Sequence, residues 1–94
     1  MRILKSDDYL EALKEVLTYI AKDKKSAAVQ FNSELNKKIR SLKEFPYLYR
    51  QSRYFEDEQI RDLIHKGYSV PYEIAIDKEL ITIIGITKYK KSLR

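Results

Sequence analysis

The sequence has no cysteine and contains only one histidine, two glycines and two prolines among its 94 residues. Without cysteine the chain has no disulfide, no thiolate metal site and no cysteine nucleophile. A single histidine excludes a His-rich metal cluster, and so few glycines and prolines exclude a low-complexity chain. No apolar run approaches the roughly 20 residues that span a bilayer, and residues 1–5 do not resemble a signal peptide. We therefore expect a cytoplasmic protein with no membrane, metal or cofactor requirement.

Charged residues are what the chain has in excess. They make up 35% of the sequence, against about 25% in a typical globular protein. The hydrophobic content of 44% is ordinary and sufficient for a core. A second core would need roughly 50 residues of its own, so we expect one domain over residues 1–94.

The net charge of +5 is concentrated in two basic blocks. Residues 1–36 are balanced, whereas residues 37–53 carry six basic side chains against Glu44 alone, a net charge of +5. Residues 54–79 have a net charge of −4, and residues 80–94 carry four basic and no acidic side chains. Basic clusters indicate an anionic partner, either nucleic acid or an acidic protein, although a solvated surface explains each block equally well.

Apolar residues recur every three or four positions in the first half of the chain, which predicts two amphipathic helices. The first is predicted over residues 7–23, with Asp8 and Glu11 as a capping pair. The second is predicted over residues 26–44, because Pro46 disfavours helical geometry at the residue before it. The short break between them predicts an antiparallel helical hairpin.

Near Ile60 the apolar period changes from 3.6 to 2, which predicts strands over residues 59–65, 68–77 and 80–87 in an antiparallel meander. Residues 2–5 could supply a short fourth strand. The order is β-α-α-β-β-β, an α+β fold with the helical hairpin packed on a small antiparallel sheet. The core is predicted to contain Leu13, Leu17, Phe31, Leu35, Tyr72, Ile74 and Ile83.

Isolated polar residues are weak candidates for chemistry. His65 has no serine or cysteine nucleophile pattern near it, and we expect it to be a surface histidine at a strand end. Arg61 lies among apolar neighbours in a predicted strand, so it should reach solvent or be paired. Pro71 cannot donate to a strand ladder and should face an edge or a bulge.

Between the second helix and the first meander strand, tyrosines interleave with arginines. Tyr47, Tyr49 and Tyr54 alternate with Arg50 and Arg53. Such a mixture can stack on bases and hold phosphates. The alternative, which we favour, is that the tyrosines cover a sheet edge while the arginines stay solvated.

Several local strings and their order point to a family. A Phe-Pro stop at 45–46 follows the helical hairpin, and an Ile-Arg strand begins at 60–61. A Gly-Tyr-Ser-Val-Pro-Tyr strand at 67–72, a β-branched run at 80–86 and a basic tail complete the pattern. In this order the chain resembles, over residues 9–91, the RelE/ParE superfamily of toxins from prokaryotic toxin–antitoxin modules. The resemblance implies a cognate antitoxin as partner, in a hetero-oligomer with the toxin.

The superfamily divides by mechanism. RelE-like toxins enter the ribosomal A site and cut mRNA with basic residues on the meander strands and a tyrosine or histidine near the C-terminus. Here Ser69 follows the Gly-Tyr pair where that branch has an arginine, and Asp62 is an acid where it tends to be basic. The chain therefore resembles more closely the ParE-like branch, which poisons DNA gyrase without being a nuclease.

The resemblance implies a toxin that inhibits growth through DNA gyrase, takes part in plasmid stabilisation and is neutralised by its antitoxin. Two alternatives stay open: a RelE-like ribosome-dependent mRNA endoribonuclease, with Arg61, Tyr89 and Lys90 as catalytic residues, and a degenerate, non-toxic binding module. The residues expected to bind the target are Arg61, Lys88, Tyr89, Lys90, Lys91 and Arg94. The residues expected to bind the antitoxin are Lys37, Arg40, Arg50 and Arg53.

Overall fold

Five β-strands and two α-helices form the fold in the computed structural model, which describes residues 1–88. In chain order they are β1 (Arg2–Lys5), α1 (Asp7–Asp23), α2 (Lys25–Ser41), β2 (Ile60–His65), β3 (Tyr68–Ala75), β4 (Leu80–Ile83) and β5 (Thr87–Lys88). The predicted α+β order is confirmed, including the short strand before the first helix. Within residues 1–88, neither helix combines the length and the apolar character needed to cross a membrane.

The first helix is capped by a residue that precedes the predicted capping pair. The Ser6 hydroxyl accepts a hydrogen bond from the Tyr9 backbone N–H at 3.0 Å and donates to the Ile84 carbonyl at 2.9 Å. The prediction that Asp8 and Glu11 form the cap is therefore wrong, because the helix begins directly after Ser6. The serine hydroxyl thus satisfies a free helical N–H and joins the start of α1 to the sheet.

The sheet has the strand order β1-β4-β3-β2, with β5 paired to β3 beyond the end of β4. The pairs β2–β3, β3–β4 and β3–β5 are antiparallel, as predicted, but β1 and β4 run parallel. The sheet is therefore mixed rather than antiparallel. The chain leaves β1 and passes through both helices, β2 and β3 before it reaches β4, and a crossover this long is what a parallel pair requires.

The last predicted strand, residues 80–87, is interrupted. Residues 84–86 belong to neither β4 nor β5, and the ladder with β3 stops there. The Ile84 N–H donates to the Pro71 carbonyl at 2.9 Å. The nitrogen and the carbonyl of one strand residue point to the same side of the strand, so the ring nitrogen of Pro71 also faces the interruption. Pro71 is thus accommodated opposite a break in the ladder, as its missing N–H requires.

The core lies between the two helices and the face of the sheet that they cover. Of the predicted core residues, Leu17 is only partly buried and packs at the border of the cluster, whereas the other six are buried. The buried side chains of β2, β3 and β4 in this cluster are Leu63, Val70, Tyr72, Ile74, Ile81 and Ile83. Alternate residues of each strand therefore face the helices, and the intervening residues lie on what we call the open face.

The different burial of Leu17 and Leu35 predicts different costs of truncation. Leu35 is completely buried, so Leu35→Ala should lower the free energy of unfolding by about 2–5 kcal/mol. Leu17→Ala should cost only about 1 kcal/mol, since its side chain is already partly solvated. Urea denaturation of both variants beside the wild type measures the difference, and equal midpoints for all three proteins would contradict the core assignment.

Candidate functional site

The loop between α2 and β2, residues 42–59, covers the outer edge of β2. The Ser52 N–H donates to the Ile60 carbonyl at 2.7 Å, and the Asp62 N–H donates to the Arg50 carbonyl at 3.1 Å. The loop backbone therefore acts as one more short strand at this edge. Such cover removes an exposed edge that would otherwise pair with another chain.

Arg61 joins this loop to β2. Its guanidinium donates to the Tyr49 carbonyl at 3.0 Å and to the Glu58 carbonyl at 3.2 Å. The charge also lies 4.9 Å from the centre of the Tyr47 ring, within the range of a cation–π contact. Arg61 is thus paired, as expected for a charge among apolar neighbours. Its position makes it a structural anchor for the loop, and its expected part in target binding or catalysis stays a prediction.

The beginning of the same loop is held from the core. The hydroxyl of the buried Tyr72 donates to the Pro46 carbonyl at 2.7 Å. Burial raises the pKa of Tyr72 to about 12, so the hydroxyl stays protonated and remains a donor at every physiological pH. The Tyr47 hydroxyl donates to the Gln59 side-chain oxygen at 2.8 Å. This second hydrogen bond connects the beginning of the loop to its last residue before β2.

Asp62 and Ser69 lie on the open face, and both side chains are buried there. One carboxylate oxygen of Asp62 accepts the Arg53 backbone N–H at 3.1 Å. The other oxygen, Oδ1, and the Ser69 hydroxyl have no hydrogen-bond partner among residues 1–88. Both atoms are inaccessible to solvent, so the missing hydrogen bond of each costs free energy in the folded state.

A cleft of about 350 Å³ opens between the loop and β2, and we call it the β2 cleft. Its lining is Leu48, Tyr49, Arg50, Gln51, Arg53, Asp62 and Ile64. The cleft combines apolar walls, two arginines and the buried carboxylate. Sequence reasoning found the arginines and Asp62 but missed Leu48 and Ile64. The signal for Ile64 was an apolar residue at a solvent-facing position of the strand, and Leu48 lies in the loop, where no period marks it.

His65 is buried, and the prediction of a surface histidine is wrong. Only 1% of its area is exposed. Its Nε2 lies 3.1 Å from the Phe31 carbonyl of α2, and its ring packs edge-on against the Phe31 ring at 4.6 Å. His65 faces the helices and Ser69 faces away from them, so the sheet separates these two side chains and they cannot act as a base and nucleophile pair.

The mid-chain basic block does not form one continuous surface. Arg40 and Lys43 lie at the β1 edge, where they line a groove with Lys5 of β1. Arg50 and Arg53 lie at the opposite edge, beside the β2 cleft. The edge strands of the order β1-β4-β3-β2 are separated by about 14 Å at the usual strand spacing. Of the predicted antitoxin-binding residues, Arg40 therefore lies at one edge of the sheet and Arg50 and Arg53 at the other. Lys37 is exposed on α2.

Of the predicted target-binding tail, only Lys88 lies within the described residues, at the end of β5 opposite Tyr68. Tyr89, Lys90, Lys91 and Arg94 lie outside them, so their placement stays a prediction. In the part of the chain that the structure describes, no three acidic or histidine side chains are grouped to hold a metal ion.

The sequence matches the family model described as the ParE toxin of the type II toxin–antitoxin system parDE over residues 3–92. The chain belongs to this toxin family. No curated protein sequence matches it significantly. The break in the ladder, the covered edge and the β2 cleft are therefore features of a ParE-family toxin.

Solved structures agree with the fold of this ParE-family toxin. A chain of the chromosomal ParDE toxin–antitoxin system from P. aeruginosa superimposes with a TM-score of 0.75 and 15% identity, covering 96% of this chain and 97% of the other. The isolated E. coli RelE toxin superimposes with a TM-score of 0.66 and 16% identity, over 97% of this chain and 86% of the other. At such identities the likeness concerns the fold alone.

The environment of His65 disfavours its charged form. Burial is the main cause that lowers the pKa of His65 from 6.5, and the cations Lys38 and Lys66 lower it further. The hydrogen bond to the Phe31 carbonyl and the nearby Glu34 oppose this shift only in part. The folded toxin therefore binds a proton at His65 less readily than the unfolded chain does.

This difference predicts an acid-sensitive stability. The contribution of neutral His65 to the free energy of unfolding is complete above the unfolded pKa of about 6.5. It is lost as the pH falls below that value, because the unfolded state then binds a proton that the folded state does not. The free energy of unfolding should fall more steeply for the wild type than for His65→Gln, which does not titrate, between about pH 7.5 and about pH 5.5. Parallel pH profiles from urea denaturation would show that His65 is not the responsible group.

Proposed function

We propose that this ParE-family toxin inhibits growth by poisoning DNA gyrase and that a cognate antitoxin neutralises it. The observation that carries the proposal is the family match over residues 3–92. A module of this kind would act in plasmid stabilisation when a plasmid encodes it. The contact with gyrase is proposed to come from the basic end of the chain, Lys88 to Arg94, together with Arg61.

The open face supports a mechanism without RNA cleavage. A nuclease needs cations that stabilise the developing charge on phosphate and a group that moves the proton. In β2 and β3, the open face carries instead the buried carboxylate of Asp62 and the buried hydroxyl of Ser69. An acid at this position repels phosphate, which favours the gyrase mechanism over the RelE-like alternative.

The proposal predicts a specific cellular outcome. Expression of the toxin alone should stall division and induce a DNA-damage response while bulk mRNA stays intact. The purified toxin should inhibit gyrase supercoiling or trap the cleaved DNA complex. Deletion of residues 90–94 removes three cations and should abolish toxicity with little change in thermal stability. Charge removal at Lys22 and Lys24, which lie at the end of α1 away from the cleft, is the matched control and should leave toxicity unchanged.

Other outcomes would replace this proposal. Codon-positioned mRNA cleavage on translating ribosomes, lost in Tyr89→Phe, would establish the endoribonuclease instead. Arg61→Ala is a poorer probe of that mechanism, because it also releases the carbonyls of Tyr49 and Glu58. Antitoxin binding without any growth arrest would establish the non-toxic binding module.

For the antitoxin we propose an acidic segment that folds on binding. Two features of the surface suit it: the apolar groove between α1 and α2, where Leu10 and Val29 are exposed, and the cations beside β1. In residues 1–88 the outward edge of β1 has no strand partner, so an extended segment could pair there. Arg40 and Lys37 on α2 would attract its carboxylates, and Arg50 and Arg53 would meet a segment that reaches the other edge.

Charge pairing of this kind should govern the rate of association more than the final affinity. We expect the association rate to fall clearly from low to physiological salt, and charge reversal at Lys37 and Arg40 to slow it at low salt. Reversal at Lys88 and Lys90 should slow it as well. Stopped-flow measurements that show no dependence on salt or on these substitutions would remove the electrostatic proposal.

A further inference from the structure

The chain that runs from β4 into β5 contains one more residue than the stretch of β3 that it faces. Tyr72 of β3 pairs with Ile83. Ser69, three positions earlier in β3, pairs with Thr87, which is four positions after Ile83. The interruption at residues 84–86 is therefore a β-bulge of one residue. Bulges of this kind change the direction of the side chains that follow them.

The bulge decides which side chains of β5 face the helices. Ile83 and Ile86 are both buried in the core cluster, although strict alternation would place residues three positions apart on opposite faces. After the bulge, Lys88 lies opposite Tyr68 on the face that the helices cover, whereas Thr87 lies on the open face. The position of Lys88, from which the basic end of the chain continues, therefore depends on this one extra residue.

Pro71 and Ser6 together account for the bulge. Two facing residues of an antiparallel pair can exchange two hydrogen bonds, but Pro71 only accepts one, from the Ile84 N–H, because it has no N–H of its own. The Ile84 carbonyl is bonded on the other side of β4, where the Ser6 hydroxyl donates to it at 2.9 Å. Ser6 directly follows β1, and β4 lies between β1 and β3. The N–H and the carbonyl of Ile84 thus bond to opposite neighbours, which a regular strand residue does not do.

The Ser6 hydroxyl has two separable roles. As an acceptor it caps α1 through the Tyr9 N–H, and as a donor it holds the Ile84 carbonyl. Capping needs only an acceptor, and aspartate caps a helix as well as serine does. The Ile84 carbonyl needs a donor, and a backbone acceptor left without one costs free energy. The donated hydrogen bond therefore serves the bulge and not the helix.

We propose that Ser6 is a positioning residue for the basic end of the toxin. Its hydroxyl supplies the donor that Pro71 lacks, and it thereby fixes the register in which β5 presents Lys88 to the target. β5 pairs with β3 through only two residues, and so short a terminal strand opens at a low free-energy cost. One hydrogen bond at the bulge then changes how much of the time β5 is paired. The contact between Lys88 and the target rests on the proposed function, whereas the register does not.

Paired variants separate donation from capping, charge and stability. Ser6→Asp keeps the cap and removes the donor, and Ser6→Thr keeps both. Ser26→Asp is the matched control for the added charge, because Ser26 is exposed at the beginning of α2. Leu17→Ala is the control for a loss of stability away from the bulge. Pro71→Val returns an N–H to β3 opposite Ile84, so the effect of Ser6→Asp should be smaller in that background.

Each variant is scored by amide hydrogen exchange in β5 and at the beginning of β3, by the urea midpoint and by growth arrest. Exchange at these strands should be about threefold to tenfold faster in Ser6→Asp, the factor that one hydrogen bond contributes to an equilibrium. Growth arrest by Ser6→Asp should require correspondingly more toxin. Ser6→Thr, Ser26→Asp and Leu17→Ala should keep the wild-type exchange in β5 and the wild-type potency.

Different failures refute different statements. Exchange in Ser6→Asp that is no faster than in Leu17→Ala, or an effect that persists undiminished beside Pro71→Val, overturns the role of Ser6. Faster exchange with unchanged growth arrest also overturns it, because the register would then not serve the contact. Growth arrest without gyrase inhibition refutes only the gyrase assignment, since the variants are still ranked by growth. A wild-type protein that arrests no growth refutes the proposed function, and exchange then still decides whether Ser6 sets the register.

Discussion

The hydrogen bond from the Tyr72 hydroxyl to the Pro46 carbonyl fixes the start of the loop that covers the outer edge of β2. Tyr72 is buried in the central strand, so its position is set by the core rather than by the surface. Arg61 continues the same connection by holding the Tyr49 and Glu58 carbonyls. A long loop would otherwise sample many conformations, but here a rigid strand determines where its exposed residues stand.

The two faces of the sheet carry different kinds of side chain. The covered face carries apolar side chains together with His65, whose Nε2 is hydrogen-bonded to the Phe31 carbonyl and whose ring is inaccessible to a substrate. The open face carries the polar side chains of Asp62 and Ser69, which the described part of the chain leaves incompletely paired. A strand residue cannot change face without a shift in register, so this division follows directly from the alternation in β2 and β3.

The basic residues are divided as well, but between edges rather than faces. Arg40 and Lys43 lie beside the outward edge of β1, whereas Arg50 and Arg53 lie beside the covered edge of β2. An acidic antitoxin that begins at one edge must therefore extend across the molecule to neutralise both patches.

Periodicity was sufficient to predict the helical hairpin, the meander and six of the seven core residues, because alternation and the 3.6-residue period report burial directly. The order of elements and the strings around Phe45, Tyr68 and Leu80 were sufficient for the family. Local patterns also foresaw that Pro71 must face a break in pairing and that Arg61 must be paired.

Only the tertiary structure decided the features that depend on contacts between distant segments. The parallel pairing of β1 with β4, the burial of His65 against Phe31 and the placement of Arg40 and Arg50 at opposite edges are of this kind. Residues far apart in sequence form each of these contacts, and no local period encodes which strand becomes a neighbour. The β2 cleft arises in the same way, since a loop and a strand must meet before Leu48 and Ile64 can share a wall with the carboxylate of Asp62.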